Sequence, residues 1–253
     1  MQNGKDLAKI DQFRDILNSQ TIRAQIYNSL KEKAGAFASS MIDLYSGDTS
    51  LQACDPEKVA LECVKAAVLD LPIIKSLGYA YVIAYKGVPT FVIGYKGLIQ
   101  LAQRSGLYQF INADNVYDGE LTGKDKRSGE IRLDGEKKSD KVIGYFAYFK
   151  LLNGFEKTLY MTKEEVYDHM KKHSPASASR YSPWNTEFDK MACKTVLRQL
   201  LGKYGPTSTV MRKAEEADER VKPENTVVNE KQMIDVTVDE ETGEVIEPAA
   251  EAE

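Results

Sequence analysis

The sequence predicts an α+β fold: an antiparallel β-meander sheet packed with helices, with a helical N-terminal segment and a disordered acidic C-terminal tail. Three observations support this prediction. Apolar residues recur every three or four positions in the first part of the chain, which is typical of amphipathic helices. Aromatic and β-branched residues then concentrate in short runs between glycine-containing turns, which is typical of a meander. The last segment is acidic and has few aromatic residues, which favours disorder.

Residues 1–72 form the predicted helical segment. Two amphipathic helices follow from the apolar repeat between Ile10 and Leu44. A third begins where Asp55 precedes Pro56, because an acidic N-cap followed by proline favours a helix start. It is predicted to end at Pro72.

The sheet is predicted from several strand patterns and their turns. Residues 78–85 and 89–93 form a hairpin, and a short helix follows and stops at Gly106. Longer strands are predicted at 108–117 and 141–152, and we interpret the charged stretch between them as a long mobile hairpin tip. The dipeptide Asn153-Gly154 predicts a tight turn into a strand at 155–161.

Two helices complete the predicted domain. Thr162 and Glu165 match a capping box, so a helix is expected from there to about His173. After a loop at 174–182, a final helix runs from about Thr186 to Tyr204. The main domain is thus predicted at 1–213 (helical in 1–72, sheet and helices in 73–213), and 214–253 is the tail, with weak strand patterns at 236–238 and 245–246.

Charge is unevenly distributed along the chain. Residues 214–253 hold 14 acidic and 3 basic residues, so their net charge is −11. Because the whole chain has a formal charge of −4, residues 1–213 carry +7. A basic body suits a polyanionic partner, and the acidic tail is typical of an interaction segment.

Cysteine usage and hydropathy exclude several classes of protein. The three cysteines, Cys54, Cys63 and Cys193, are far apart and form neither a zinc pattern nor a disulfide framework. No apolar run approaches the roughly 20 residues of a membrane span, and residues 1–15 do not resemble a signal peptide. We therefore expect a cytoplasmic protein without a membrane partner.

The final helix carries the clearest binding pattern. Lys190, Lys194 and Arg198 are spaced four residues apart, about 6 Å per step, which suits a row of phosphates or a solvated helix face. Aromatic residues lie near cations in the sequence, as expected where bases stack and phosphates pair. They are Tyr79, Tyr81, Tyr85, Tyr95 and Trp184, with Lys86, Lys96, Arg180 and Lys190 nearby.

Two catalytic interpretations remain open as alternatives. His169 and His173, with Glu165 one turn earlier, could hold a metal, although no H-E-x-x-H pattern completes the site. Asp134 and Glu136 weakly match the acidic residues of a Mg²⁺-dependent nuclease. The phosphate-loop pattern G-x-x-x-x-G-K-[ST] is absent from the sequence, so no machinery for nucleotide hydrolysis is predicted.

Four segments in one order resemble the RecT family of single-strand DNA annealing proteins, which are phage and prophage recombinases. They are residues 94–106, 152–158, 161–166 and 182–206, and the resemblance covers about residues 24–211. It implies a recombinase, not an enzyme, that binds single-stranded DNA and anneals complementary strands in homologous recombination without ATP. It also implies a homo-oligomer, either a helical filament or a ring, in the cytoplasm of a bacterial host.

The resemblance also implies a DNA-binding groove and a set of partners. Besides single-stranded DNA and the annealed duplex, a phage exonuclease and a host single-strand binding protein are expected partners. No cofactor is expected, and Mg²⁺ is expected only to modulate annealing. Cys193 stands where the family resemblance suggests Lys, so one cation of the groove is expected to be missing. The predicted DNA-binding residues are Lys86, Tyr95, Lys96, Arg104, Trp184, Lys190, Lys194, Arg198 and Lys203. A non-catalytic oligomeric scaffold remains a further alternative.

Overall fold

The computed structural model of the 253-residue chain describes residues 2–174, 177, 182–206, 237–238 and 245–246. The chain divides into two units, Met1–Val221 and Lys222–Glu253. The first unit is α+β with antiparallel sheets, as predicted. None of the helices in the described ranges is both long and apolar enough to cross a membrane.

The first unit begins with a group of helices. Where two helices are predicted before Asp55, the structure has three long ones, because the chain breaks at Ser19 and again in a 3₁₀ turn at Lys31–Lys33. These are α1 (Gln2–Asn18), α2 (Gln20–Leu30) and α3 (Ala34–Ser46), followed by the short α4 (Thr49–Gln52) and by α5 (Pro56–Val68).

Helix α5 is the centre of this group and begins as predicted. The carboxylate of Asp55 accepts a hydrogen bond from the backbone N–H of Glu57, and Pro56 occupies the first turn, where no N–H is needed. Val59, Ala60 and Cys63 are fully buried along one face. The helix therefore offers an apolar surface to α1, α2 and the following hairpin.

The hairpin consists of β1 (Ala80–Tyr85) and β2 (Val88–Ile93), joined by a two-residue turn at Lys86 and Gly87. Both turn residues have positive φ, 50° and 82°, which matches the twist of an antiparallel pair. A 3₁₀ turn, Lys75–Leu77, precedes the hairpin, and α6 (Tyr95–Arg104) follows it.

A three-stranded antiparallel sheet forms the second half of the unit. It contains β3 (Tyr108–Tyr117), β6 (Val142–Leu151) and β7 (Glu156–Thr162), with β6 in the middle. Alternate residues of β6 are buried, namely Tyr145, Ala147, Phe149 and Leu151. This period of two identifies the face that packs against the final helix.

Three helices follow the sheet. The predicted capping box is present at α7 (Lys163–His173), where Thr162 and Glu165 each bond to the other's backbone N–H. Most of the loop predicted at 174–182 lies outside the described residues. The short α8 (Pro183–Thr186) and the long α9 (Phe188–Tyr204) come next, and α9 crosses β3, β6 and β7.

The stretch between β3 and β6 is a folded arm and not a plain hairpin tip. It contains a second hairpin, β4 (Gly123–Lys124) with β5 (Ile131–Arg132). The Lys157 ammonium of β7 donates a hydrogen bond of 2.7 Å to the Ser128 carbonyl, which fixes the arm against the sheet. We call residues 118–141 the arm.

In the unit Lys222–Glu253, the structure describes one strand pair, β8 (Thr237–Val238) with β9 (Val245–Ile246). Both strands lie in the segments where weak strand patterns are predicted. The rest of the acidic tail, for which disorder is predicted, lies outside the described residues.

Candidate nucleic-acid interface

The β1–β2 hairpin has one apolar face and one aromatic face. Ala80, Val82, Phe91 and Ile93 are at most 1% exposed and face α5. The residues between them point the other way because side chains alternate along a strand. We call this second face the tyrosine face, and it comprises Tyr81, Ile83 and Tyr85 of β1 with Val88, Thr90 and Val92 of β2.

Two glycines bring α6 against the start of the hairpin. A Cβ added at Gly94 would lie 2.1 Å from the Gly78 carbonyl oxygen, and one added at Gly97 would lie 2.2 Å from the Tyr79 carbonyl oxygen. The Gly94 N–H donates a 2.8 Å hydrogen bond to that same Tyr79 oxygen. The Gly94-Tyr-Lys-Gly97 motif is therefore a close backbone contact, which only glycine permits.

This contact places Lys96 beside the tyrosine face. A methyl group at Gly78 would lie 3.5 Å from the Tyr81 phenol oxygen and 3.7 Å from Cδ of Lys96, so both side chains pass close to this glycine. Lys96 is exposed and Tyr81 is half-exposed. An aromatic ring next to a cation is the combination that binds a stacked base and its phosphate.

The surroundings of this pair are basic. From residue 71 to 113 the sequence contains no Asp or Glu, while four cations occur, Lys75, Lys86, Lys96 and Arg104. Lys86 is exposed at the hairpin tip, next to Tyr85. Lys75 and Arg104 pair with Asp48 and Asp70, at 2.8 and 3.5 Å, so Lys86 and Lys96 are the cations of this stretch that are better placed to attract a polyanion.

Helix α9 reaches the same region through Tyr95 and Cys193. Burial, followed by the nearby Cys193 and Asp114, raises the pKa of Tyr95. The Cys193 thiol donates a 3.6 Å contact to the Asn115 side-chain oxygen of β3. Burial, together with Asp114 and Asp189, raises the pKa of Cys193 to about 12. Position 193, where a lysine is expected from the family resemblance, thus lies where α6, β3 and α9 meet.

The predicted cations of α9 are in different surroundings. The Lys190 side chain is 78% exposed and pairs with Glu187 at 2.7 Å. Lys194 and Arg198 are half-buried. Arg198 is close enough to His169 of α7 for its charge to contribute to a lowered pKa of that imidazole, after burial and His173. In the row Lys190, Lys194 and Arg198, solvent exposure therefore decreases after the first residue.

Two other predicted DNA-binding residues have structural contacts. Trp184 is only 6% exposed and packs against Phe188, so little of its ring is available to a base. Arg104 donates hydrogen bonds to the carbonyl oxygens of Leu69 and Asp70, at 2.7 and 2.5 Å. These bonds tie α6 to the end of α5. Lys203 is exposed at the C-terminal end of α9, beside the ring of Tyr204.

The structure also describes the residues of the two alternative catalytic interpretations. Asp134 accepts a hydrogen bond from Thr122 on the exposed arm. His169 and His173 have ring centroids 4.4 Å apart on α7. Over the part of the chain that the structure describes, no group of three or more His, Cys, Asp or Glu residues is arranged to hold a metal ion.

The sequence patterns did not identify the backbone contacts that position α6 beside the tyrosine face. Gly78 and Tyr79 supply the backbone against which Gly94 and Gly97 pack, and Asp114 and Asn115 of β3 adjoin the junction with α9. The only local signal is a glycine directly before a strand. The contact itself joins separate segments, so no periodicity reveals it.

Comparisons with known proteins place the sequence among its relatives. The sequence model of the RecT family matches residues 35–233 of the chain. The uncharacterised protein YqaK of Bacillus subtilis (strain 168) is 40% identical over 237 residues, which cover 93% of this chain and 78% of that protein. Protein RecT of Escherichia coli (strain K12) is 30% identical over 182 residues, which cover 66% of this chain and 64% of that protein.

Proposed function

Because the chain belongs to the RecT family of single-strand annealing proteins, we propose that it binds single-stranded DNA on the tyrosine face and pairs complementary strands in homologous recombination. It does so without ATP and without catalysis by its own side chains. The observation that carries this proposal is that the Tyr81 phenol and the Lys96 side chain both lie beside Gly78, within a segment that contains no acidic residue.

The proposed mechanism separates charge from base recognition. Two DNA backbones repel each other, and cations such as Lys86, Lys96 and Lys190 reduce this repulsion by neutralising phosphates, which also releases condensed counterions. Tyrosine rings hold bases by stacking, which every base can do, so sequence preference is slight. Watson–Crick pairing then selects the complementary strand, and the protein supplies proximity.

The finer parts of the function follow from this mechanism. A homo-oligomer, as a filament or a ring, repeats the tyrosine face along the strand and so binds a length of DNA that one copy cannot cover. No nucleotide or metal cofactor enters the reaction, although Mg²⁺ modulates annealing by screening phosphates. An exonuclease and a single-strand binding protein of the host are proposed partners, because they produce and protect the strands.

An annealing experiment tests the proposal directly. Two complementary labelled oligonucleotides are mixed with the protein and Mg²⁺ without nucleotide, and pairing is followed by fluorescence transfer. We expect faster pairing than without protein, intact strands, and no effect on a non-complementary pair. DNA binding without faster pairing would support the scaffold alternative, and shortened strands would support the nuclease alternative.

Substitutions then test the tyrosine face. Tyr81→Ala is expected to weaken single-strand binding by about 1–3 kcal/mol, the usual contribution of one stacked base. Lys96→Ala is expected to reduce the salt dependence of binding by about 0.7 in the log–log slope. Lys171→Ala on α7, an exposed lysine outside this face, is the control. If Lys171→Ala weakened single-strand binding as much as Tyr81→Ala and flattened the salt dependence as much as Lys96→Ala, the tyrosine face would be excluded as the binding site.

A further inference from the structure

A second group of cations lies at the opposite end of α9 from Lys190. It comprises Lys126 and Arg127 in the arm, Lys157 on β7, and Lys203 with Tyr204 at the end of α9, and we call it the arm cluster. Lys190 and Lys203 are 13 residues apart on one helix, which separates them by about 20 Å. The tyrosine face is formed by β1 and β2, so the arm cluster shares no residue and no strand with it.

Specific contacts assemble this cluster. The Lys157 ammonium is 5.3 Å from the centroid of the Tyr204 ring, and the Lys203 ammonium is 5.2 Å from it. Lys157 also bonds the Ser128 carbonyl, and Gly129, with φ of 69°, leaves space for it, since a Cβ there would lie 2.4 Å from the ammonium. The arm tip is thereby held next to Tyr204.

The nearby carboxylates leave the cluster with excess positive charge. Asp125 and Glu130 lie in the same turn. Bonds from the Ser128 hydroxyl and the Arg127 backbone N–H lower the pKa of Asp125 and keep it ionised. These two carboxylates are nevertheless outnumbered by the four cations of the cluster. Glu156 points to the other side of β7, where it pairs with Lys150 and accepts a bond from Tyr148. Lys126 and Arg127 are exposed at the tip of the turn. Cations grouped around an aromatic ring favour the backbone and bases of single-stranded nucleic acid.

We propose that the arm cluster binds a second single strand of DNA while the first occupies the tyrosine face. This inference rests on the proposed function and goes beyond it, because it assigns the two strands to two different sites on one chain. Lys126, Arg127 and Lys203 contact phosphates, and Tyr204 contacts a base. Lys157 positions the arm through its bond to Ser128.

A second-strand capture experiment tests this inference with the full-length protein. The protein is saturated with an unlabelled oligonucleotide, and a labelled oligonucleotide of non-complementary sequence is then added and followed by fluorescence anisotropy. The test variant is Lys126→Ala with Arg127→Ala, which removes two exposed cations and spares the bonds of Lys157. The control, Lys58→Ala with Lys171→Ala, removes the same charge from α5 and α7, at exposed positions.

We expect the test variant to bind the first strand within about twofold of wild type and to capture the second about tenfold more weakly at low salt, while the control matches wild type. Equal second-strand capture by the test variant and wild type would overturn the inference, as would an equal loss in the control. Absence of second-strand capture by the wild-type protein would overturn it as well. If the wild-type protein captured the second strand but did not speed annealing of complementary strands, the proposed function would be refuted and the second site would remain supported.

Discussion

Arg104 matches a sequence pattern for phosphate binding, but its side chain makes structural hydrogen bonds in the fold. As the last basic residue of an acid-free segment, it resembles a phosphate ligand, but its guanidinium caps the end of α5 through the carbonyls of Leu69 and Asp70 and lies 3.5 Å from the Asp70 carboxylate. Hydrogen bonds of a charged donor typically contribute about 1.5–3 kcal/mol. We therefore infer a structural contribution from Arg104.

Arg104→Lys tests this role because it keeps the charge and loses the two carbonyl bonds. We expect the free energy of unfolding, measured by urea denaturation, to fall by about 1–3 kcal/mol. The salt dependence of DNA binding should not change. Unchanged stability in Arg104→Lys would contradict the structural role, and a flatter slope with unchanged stability in Arg104→Ala would make Arg104 a phosphate ligand, as the sequence predicts.

Two helical glycines give predictions of opposite sign. Gly97→Ala forces a Cβ to 2.2 Å from the Tyr79 carbonyl, so we expect a loss of stability of about 1–3 kcal/mol or more. Gly35→Ala in α3 meets nothing within 4 Å and should stabilise the protein by about 0.5–1 kcal/mol. Thermal unfolding of both variants measures the difference, and a neutral Gly97→Ala would contradict the close backbone contact.

Among the elements, α7 makes the free energy of unfolding depend on pH. Burial, then His173 and Arg198, lowers the pKa of His169 below its usual value of 6.5 in the folded chain. The unfolded chain therefore binds more protons near pH 6.5, and stability should fall as the pH drops below that value.

His169→Gln should remove part of this decline. Urea denaturation at several pH values between about 7 and 5 measures it, with His173→Gln as the comparison. His173 is exposed, so its substitution should have a smaller effect. An unchanged pH profile in His169→Gln would contradict the assignment.

Helix α9 gives a prediction on binding. If Lys194 and Arg198 each neutralise a phosphate, replacing both with Ala should flatten the log–log salt dependence of single-strand binding by about 1 to 1.4. Titrations at several salt concentrations measure this slope, with Lys58→Ala and Lys171→Ala as the control pair. An unchanged slope would remove both residues from the site.

The elements were predictable from sequence where the signal is local. The strand Tyr108–Tyr117, the capping box at Thr162 and the proline start of α5 follow from alternation, caps and turns within a few residues. The hairpin inside the arm was missed because β4 and β5 are two residues each, too short for any alternation to show. The same limit applies to Lys157, which gains its role only by contact with Ser128, 29 positions away.

At the scale of the whole molecule, we expect the uneven charge to influence affinity for DNA. Residues 214–253 carry −11 and residues 1–213 carry +7. If the tail competes with DNA for the basic body, deleting residues 214–253 should raise single-strand affinity, and more so at low salt.

Anisotropy titrations of the deleted and full-length chains at two salt concentrations measure this effect. Deleting only residues 248–253, which hold two acidic residues, is the control. No gain in affinity from the longer deletion would indicate that the tail does not compete and would favour a role in recruiting a partner.

The candidate site could be predicted only in part at this scale. Composition identified the basic body and the tyrosines, because both can be read along the chain. The contact of Cys193 with Asn115, 78 positions apart, and the approach of α6 to the hairpin depend on how the helices pack around the sheet. No pattern in one segment contains that information.

The protected state of the cysteines has a practical consequence for spectroscopy. Cys54 and Cys63 are buried, Cys193 is half-buried, and burial raises the pKa of all three thiols. Because thiolates are the reactive species, maleimide dyes at neutral pH should react slowly with the native protein. Cysteines introduced at two exposed positions, Glu130 of the arm and Val88 of the hairpin, would therefore accept fluorophores selectively, without removal of the natural cysteines. Single-molecule distances between the arm tip and the hairpin tip could then be followed as each DNA strand arrives.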